Sequence, residues 1–435
     1  GILIEKMDAN SLDPKYDLKN KDLLYRLIIS QLFYDGFQSV AVSLSNIIQA
    51  QPPCPPSDRL LKVMNLGLPI VEANNKPKKK PESLAGPGID LEFETEVQVC
   101  APDLSSYEPV MFTSHKGHCR SGAFSHDGQF CATGSVDAVI KILDVDRMLM
   151  KSIPDMLDSS TGDPQGHCVI RTLCDHYDEV TCLEFHPKEQ VLASGSRDHT
   201  IKLFNYSKAS VKKAFRTITD TDEILSISLH PTGDFMVVGT TDNVIRLYDV
   251  NTAQCYSCST PFHHHSGAVY SVKYSFDGKY YISCSQDGAV KVWDGVSNKC
   301  VNTLHSAHEG AEVTSVTFSR NGKYILSSGK DCGIKLWEVS TSRCLVTYPS
   351  PGNSGKKEQY ARAIFNHTED YVLYPDESSG NLLTWDARNA TRKQSVPLGH
   401  SAAVHHIVHS PCRPVFMTCS DDFRARCWFK RLPAM

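Results

Sequence analysis

From about residue 107 onward the chain repeats one pattern of apolar and polar positions. A small-residue pair is followed by a turn aspartate, then by an alternating aliphatic run that ends in a bulky apolar residue. The repeats read GSVDAVIKIL, GSRDHTIKLF, GTTDNVIRLY, CSQDGAVKVW, SGKDCGIKLW, ESSGNLLTW and CSDDFRARCW. Alternation at period two behind a turn signal predicts β-hairpins with one buried face. The turn residues are Asp137, Asp198, Asp242, Asp287, Asp331 and Asp422, with Ser379 standing in the sixth unit. Neighbours lie 43 to 48 residues apart after a first gap of 61. That longer gap places an insertion near 147–170, a stretch rich in turn formers. Seven such units predict one closed all-β ring, here given residues 91–435.

The first ninety residues follow a different period. Leu23, Leu24, Leu27, Ile28, Ile29, Leu32 and Phe33 recur at helical spacing, and the pattern breaks at Asp35-Gly36. A second helix carries Val40, Leu44, Ile47 and Ile48, and a third, short one is expected in SDRLLKVMNLG. A segment this small and this apolar cannot bury its own surface. Residues 18–70 are therefore expected to self-associate through Leu24, Leu27, Ile28, Leu32, Phe33, Val40 and Leu44, with docking on the ring as the alternative. Residues 1–17 are expected to be a disordered start, with 1–6, ahead of Met7, either a cloning remnant or part of the natural chain. Residues 71–90 read as a basic Pro/Gly-rich linker. Within it Lys76, Lys78, Lys79 and Lys80 form either a short nuclear-import signal or a solvated basic run.

Composition changes this picture little. The net charge is −4, so no overall basic field points to nucleic acid. No apolar run has the length of a membrane span, and no membrane partner is expected. Sixteen cysteines are scattered singly, many inside strand-like runs, which suits buried reduced thiols. Cys255, Cys258 and the histidines up to His265 superficially suit zinc, but one CxxC at a repeat boundary is a weak signal. No cofactor or metal is expected.

A second landmark fixes the frame. His115, His176, His265 and His400 each lie 22 residues before their aspartate, and His308 lies 23 before Asp331. This arrangement resembles the WD40 repeat, whose units are four-stranded blades of a β-propeller. The resemblance implies that His, Asp, a Ser or Thr and a Trp form a hydrogen-bonded chain in each blade. The closest fit is His308, Ser327 or Ser328, Asp331 and Trp337. Units three and six lack the histidine and are expected to rely on apolar packing alone. A Ser/His/Asp set that recurs in most units is architecture, because a catalytic triad is needed once. The periodic cation (Lys141, Lys202, Arg246, Lys291, Lys335, Arg426) is likewise read as a structural position whose stem packs on its neighbour. The missing outer strand of the seventh blade is expected from 107–113 or 89–97. The expected docking face of such a ring carries the neighbours of the turn aspartates: Arg197, His199, Gln286, Lys330 and Phe423.

LYRLIISQLFYDGFQSVAVSL resembles a LisH motif, a helical dimerisation element found ahead of propellers. Together with GPGIDLEFETEVQ, TSHKGHCR, DHYDEVTCLEFHP, FNHTEDYVLYPDE and MTCSDDFRARCWF, the chain resembles the WD-repeat subunits of cleavage stimulation factor. That resemblance implies a non-catalytic, nuclear, homodimeric adaptor in pre-mRNA 3′-end cleavage and polyadenylation. It further implies as partners the helical-repeat scaffold subunit, the RRM subunit and the RNA polymerase II C-terminal domain, with RNA met mainly through the complex. The alternative function class is a LisH–WD40 substrate receptor or regulator of a ubiquitin ligase.

Overall fold

The structure, a computed structural model, describes residues 14–48, 54–58, 60, 88–91, 101–150, 167–208, 210–349 and 360–430. The chain divides into two compact units, Gly1–Glu82 and Ser83–Met435. In the second, 28 strands form seven four-stranded antiparallel sheets, and these are the blades of a β-propeller. Strands a to d of each blade follow one another in the chain. Blade one spans Cys119–Cys174, blade two Val180–Thr219 and blade three Ile224–Ser257. Blades four, five and six span Val269–Leu304, Val313–Tyr348 and Ile364–Pro397.

The seventh blade closes the ring. Its strands a to c run from Val404 to Lys430, and its outer strand is Tyr107–Ser114 from the start of the unit. The pairing runs from Tyr107 opposite Lys430 to Ser114 opposite Arg424, with a bulge between Pro109 and Met111. Proline lacks an N–H for the ladder, so an outer strand with a bulge is where it can sit. Joining the two ends in one sheet removes the open edge that a linear array of blades would leave. Apolar clusters fill the seams between blades. The seam of blades five and six, for example, buries Tyr324, Tyr348, Tyr374 and Trp385. Burying each such ring stabilises the fold by about 1.5–3 kcal/mol.

The closing strand thus comes from the 107–113 alternative. Residues 88–91 do something else: they are a strap pinned to blades five and six, where a linker ending at 90 was expected. Ile89 is 1% exposed; its N–H donates to Glu369 at 2.9 Å, and its carbonyl accepts from Asn321 at 2.7 Å. Leu91 N–H donates to Tyr324 Oη at 3.0 Å, and Arg388 donates to the Asp90 carbonyl at 2.6 Å. Gly88 has a φ of 86°, and a Cβ there would stand 2.5 Å from a Glu369 oxygen, so only glycine fits. The insertion opens with a helix, Val145–Met150, on which Val145 and Met148 are buried; residues 151–166 lie outside the described residues.

In the first unit, helix α1 is Pro14–Tyr34 and helix α2 is Gln38–Ile48. The turn between them is a Schellman motif. Phe37 N–H reaches the Leu32 carbonyl, Gly36 N–H reaches that of Phe33, and Gly36 takes a φ of 86°. Ile29 and Ala41 are fully buried within this unit, while Leu27, Ile28, Leu32, Phe33 and Leu44 are half-buried. Leu24, Val40 and Ile47 are 47%, 53% and 78% exposed. Of the expected third helix, only Leu60 among the described residues is helical.

Replacing Ile89 with alanine removes the buried anchor of the strap, and the expected cost is about 2 kcal/mol or more. A melting temperature for Ile89→Ala equal to the parent's would show that the strap lies outside the cooperative fold.

Candidate protein-interaction face

The b–c turns carry the repeated aspartates, and their geometry follows from satisfying one carboxylate. In blade four, His265 Nδ1 donates to Asp287 at 2.9 Å, and Ser266 N–H donates to the same oxygen at 3.0 Å. The other oxygen accepts Ala289 N–H at 2.9 Å and so closes the turn. His265 Nε2 accepts from Ser283 Oγ at 2.8 Å, and Trp293 Nε1 donates to that hydroxyl at 2.8 Å. The chain therefore runs carboxylate, imidazole, hydroxyl, indole, with each group satisfied. The same four-part chain recurs as Asp331, His308, Ser327 and Trp337, and as Asp422, His400, Thr418 and Trp428. Blade two stops at Ser194, because Phe204 replaces the tryptophan after Asp198 and His176. Blade one is looser. His115 meets Thr133 at 2.9 Å, but its Nδ1 stands 3.5 Å from Asp137.

Blades three and six depart from this chain, each in its own way. Blade three does not rely on apolar packing alone. Asp220 occupies the histidine position and accepts from Tyr248 Oη at 2.7 Å, while Arg246 bridges Asp220 at 3.3 Å and Asp242. In blade six, Tyr374 fills the strand-b position that holds Ser or Thr in blades one, two, four, five and seven, and the Trp385 indole N–H has no partner. Its turn is one residue longer. Asp376, rather than Ser379, is the organising group, accepting from Ser378 N–H, Ser378 Oγ and Ser379 Oγ at 3.1, 2.7 and 2.6 Å.

The periodic cations are bonded through their charged ends, beyond any packing of their stems. Lys141, Lys202, Lys291, Lys335 and Arg426 each donate to the carbonyl just before the blade's histidine, for example Lys335 to Ala307 at 2.9 Å and Arg426 to Gly399 at 2.6 Å.

Electrostatics follow from burial. Desolvation holds His176, His265 and His400 below the ordinary imidazole range and lowers His115 to about 4. Burial also opposes charge on Asp287, but the bonds from His265, Ser266 and Ala289 outweigh it and keep the carboxylate well below its usual range.

In four blades the residue after the aspartate takes left-handed backbone as the turn closes: Ala138, His199, Cys332 and Phe423 have φ between 62° and 67°. For a non-glycine residue this conformation costs about 1 kcal/mol or more. It also projects that side chain onto one face of the ring. Phe423 is 43% exposed there and lies against the His118 ring at 5.1 Å. His199 meets the Thr221 carbonyl at 3.0 Å.

Inside this fringe runs a belt of charges. Arg120 binds Asp421 at 2.9 Å, and His405 bridges Asp421 at 3.0 Å and Glu377 at 2.9 Å. Arg197 pairs with Glu179 at 3.2 Å and Glu223 at 3.7 Å. Lys330 binds Glu312 at 2.7 Å and covers the Tyr360 ring, while Gln286 is exposed beside Glu312. Lys330 is therefore part of the belt's own framework, whereas Phe423 and Gln286 face outward. Sequence reading missed Tyr177, 90% exposed and directly after His176, along with His118 and His405. The position after each blade histidine shares a face with the position after each aspartate, and that spacing was a usable signal. Burial opposes charge on His405, but its bonds to Asp421 and Glu377 raise it to about 9. Cys258 lies 3.8 Å from His263 Nδ1. Among the described residues, no three His, Cys, Asp or Glu side chains converge as a metal set requires. Lys76, Lys78, Lys79 and Lys80 lie outside the described residues.

Tyr248→Phe leaves the buried Asp220 one donor short, and the expected loss is about 1–3 kcal/mol in denaturant unfolding; an unchanged midpoint would make the blade-three chain ornamental. His405 binds its proton more tightly folded than unfolded. Its stabilisation is complete below pH 6.5 and is lost as pH rises through about 9. His405→Gln should therefore flatten the fall in melting temperature between those limits, and a parallel curve for the variant would contradict the assignment.

Comparison with known proteins sets both units in context. Residues 16–72 match the family described as cleavage stimulation factor subunit 1, dimerisation domain. WD domain, G-beta repeats match at 108–144, 167–205, 212–249, 256–294, 298–338 and 392–428. Most of blade six, with its divergent chain, falls between matched stretches. Cleavage stimulation factor subunit 50 of Arabidopsis thaliana is 40% identical over 437 residues, covering 97% of this chain and 99% of that protein. Nuclear distribution protein nudF of Emericella nidulans is 36% identical over 143 residues, 32% of this chain and 31% of that protein. Striatin-3 of Rattus norvegicus is 24% identical over 194 residues, 39% of this chain and 24% of that protein. A relative aligned from end to end, through helices and blades alike, shows that the chain belongs to the family of cleavage stimulation factor WD-repeat subunits.

Proposed function

We propose that the protein is a non-catalytic adaptor of pre-mRNA 3′-end cleavage and polyadenylation, working in the nucleus as a homodimer. The observation that carries the reading is the apolar face of the helical unit. Leu24, Val40 and Ile47 stay exposed on the stretch that matches a dimerisation domain. A two-fold pairing of that face buries what one copy cannot. Leu27, Ile28, Leu32, Phe33 and Leu44, half-buried in the single chain, would complete the interface. Two propellers per dimer then offer two copies of the face bearing Phe423, Tyr177, His199, Gln286 and Arg197, which raises avidity for a dimeric or repetitive partner. The partners suited to it are the helical-repeat scaffold and RRM subunits of cleavage stimulation factor and the RNA polymerase II C-terminal domain, with RNA reached through them. Lys76, Lys78, Lys79 and Lys80 would serve nuclear import.

Val40→Asp with Ile47→Asp changes side chains already exposed in one copy, so each chain should still fold. Sedimentation should show a monomer, and add-back to a depleted nuclear extract should restore 3′-end cleavage less well than the parent protein. A double variant that sediments as a dimer, or restores cleavage fully, would sink the reading.

A further inference from the structure

The first strands of the seven blades line a channel of about 590 Å³. One level of it is set by a β-bulge near the start of six of these strands, just after which blades one to five place a small polar residue: Ser121, Cys182, Ser226, Ser271 and Ser315. Several of these are bonded into the seams between strands and blades. Ser121 Oγ donates to the Val180 carbonyl at 2.8 Å, Ser226 Oγ accepts Val272 N–H at 3.1 Å, and Ser315 meets Ser328 at 2.8 Å. The repeat breaks at the last two blades, which put Arg362 and His406 at this level. Neither fits the narrow seam, and both line the channel.

His406 Nε2 is bonded to the Gly122 carbonyl at 3.2 Å, and its Nδ1 has no partner. Among the described residues, nothing accepts a hydrogen bond from the Arg362 guanidinium, and no carboxylate pairs with it. The two carboxylates in the lining are each bonded to other groups, although Glu184 Oε2 has no partner among the described residues. Glu184 is held by Lys273 at 3.0 Å, and Glu369 accepts the N–H groups of Ile89 and Arg320. Burial works against the charge on Arg362, and the groups that act on it are the Cys182 and Cys284 thiols rather than a carboxylate; burial also lowers the neighbouring His406, to about 3. A guanidinium kept in a protein-walled channel without a carboxylate is the arrangement that recognises a planar or tetrahedral oxoanion through its fork. The channel has the volume typical of small-molecule sites.

We infer that the propeller channel binds a small oxoanion, a phosphate-bearing molecule or free phosphate, with Arg362 as its anchor and His406 beside it. The test is calorimetry and thermal shift on the full chain with inorganic phosphate, pyrophosphate and acetate as probes. Arg362→Ser installs the residue type of four other blades and should fold, and Arg362→Lys keeps the charge without the fork. Pyrophosphate or phosphate should raise the melting temperature of the parent. Affinity should fall at least about tenfold in Arg362→Ser and by less in Arg362→Lys, the order that a charge-assisted bidentate contact demands. Tighter binding of pyrophosphate than of phosphate would point to a phosphorylated metabolite, and equal binding to the free ion. No shift with either phosphate probe, a shift only with acetate, or an equal shift in Arg362→Ser would overturn the proposal. Should Arg362→Ser prove unstable, phosphorus NMR line broadening on the parent alone decides whether phosphate binds, and its absence would be equally fatal.

Discussion

Everything on the outward face of this ring depends on how one partly buried carboxylate per blade is satisfied. The aspartate of the b–c turn takes a bond from a histidine, one from the backbone after that histidine, and one from the backbone two residues on. Its charge is tolerated at that depth because all three donors are supplied locally. The same bonds fix the turn, drive the next residue to positive φ, and so decide which side chains reach a partner. Architecture and presentation are one interaction seen from two sides.

The blades solve this problem unequally. Three carry the full chain to tryptophan, one stops at a phenylalanine, and one is loosened to 3.5 Å. Blade three replaces imidazole with a second carboxylate, held by a tyrosine and an arginine, whereas blade six fills the same space with Tyr374 and leaves an indole N–H unpaired. A ring with such differences is not seven-fold symmetric in chemistry, so partners can register on it in one orientation. The strap at Ile89 adds to this asymmetry, because it marks blades five and six alone.

Much of this was legible in the sequence, for a physical reason. A seven-times repeated turn needs the same aspartate, the same small residues and the same strand alternation each time, so repetition amplifies a weak local signal. Helical spacing and the Asp35-Gly36 break likewise marked the two N-terminal helices, because a Schellman turn requires glycine at its left-handed position. What could not be read was non-repetitive. The Ile89 strap depends on contacts with residues some 230 to 300 positions away. The Asp220–Tyr248 pair uses residue types that the repeat pattern had discarded. The charge belt joining Arg120, Asp421, His405 and Glu377 exists only once the ring is closed. Lys330 was chosen for its place beside an aspartate, yet its charge is used internally by Glu312.

The central claim, proposed above, is that this chain works inside the 3′-end processing complex as a dimer held by its N-terminal helices. The most direct measurement is affinity purification of the full chain from nuclease-treated nuclear extract, with quantitative mass spectrometry of what is retained. On this account the helical-repeat scaffold and RRM subunits of cleavage stimulation factor return in near-equal amounts with the bait. Return of cullin or RING components in their place would contradict it, leaving the propeller and its carboxylate chains intact but assigning them to a different assembly.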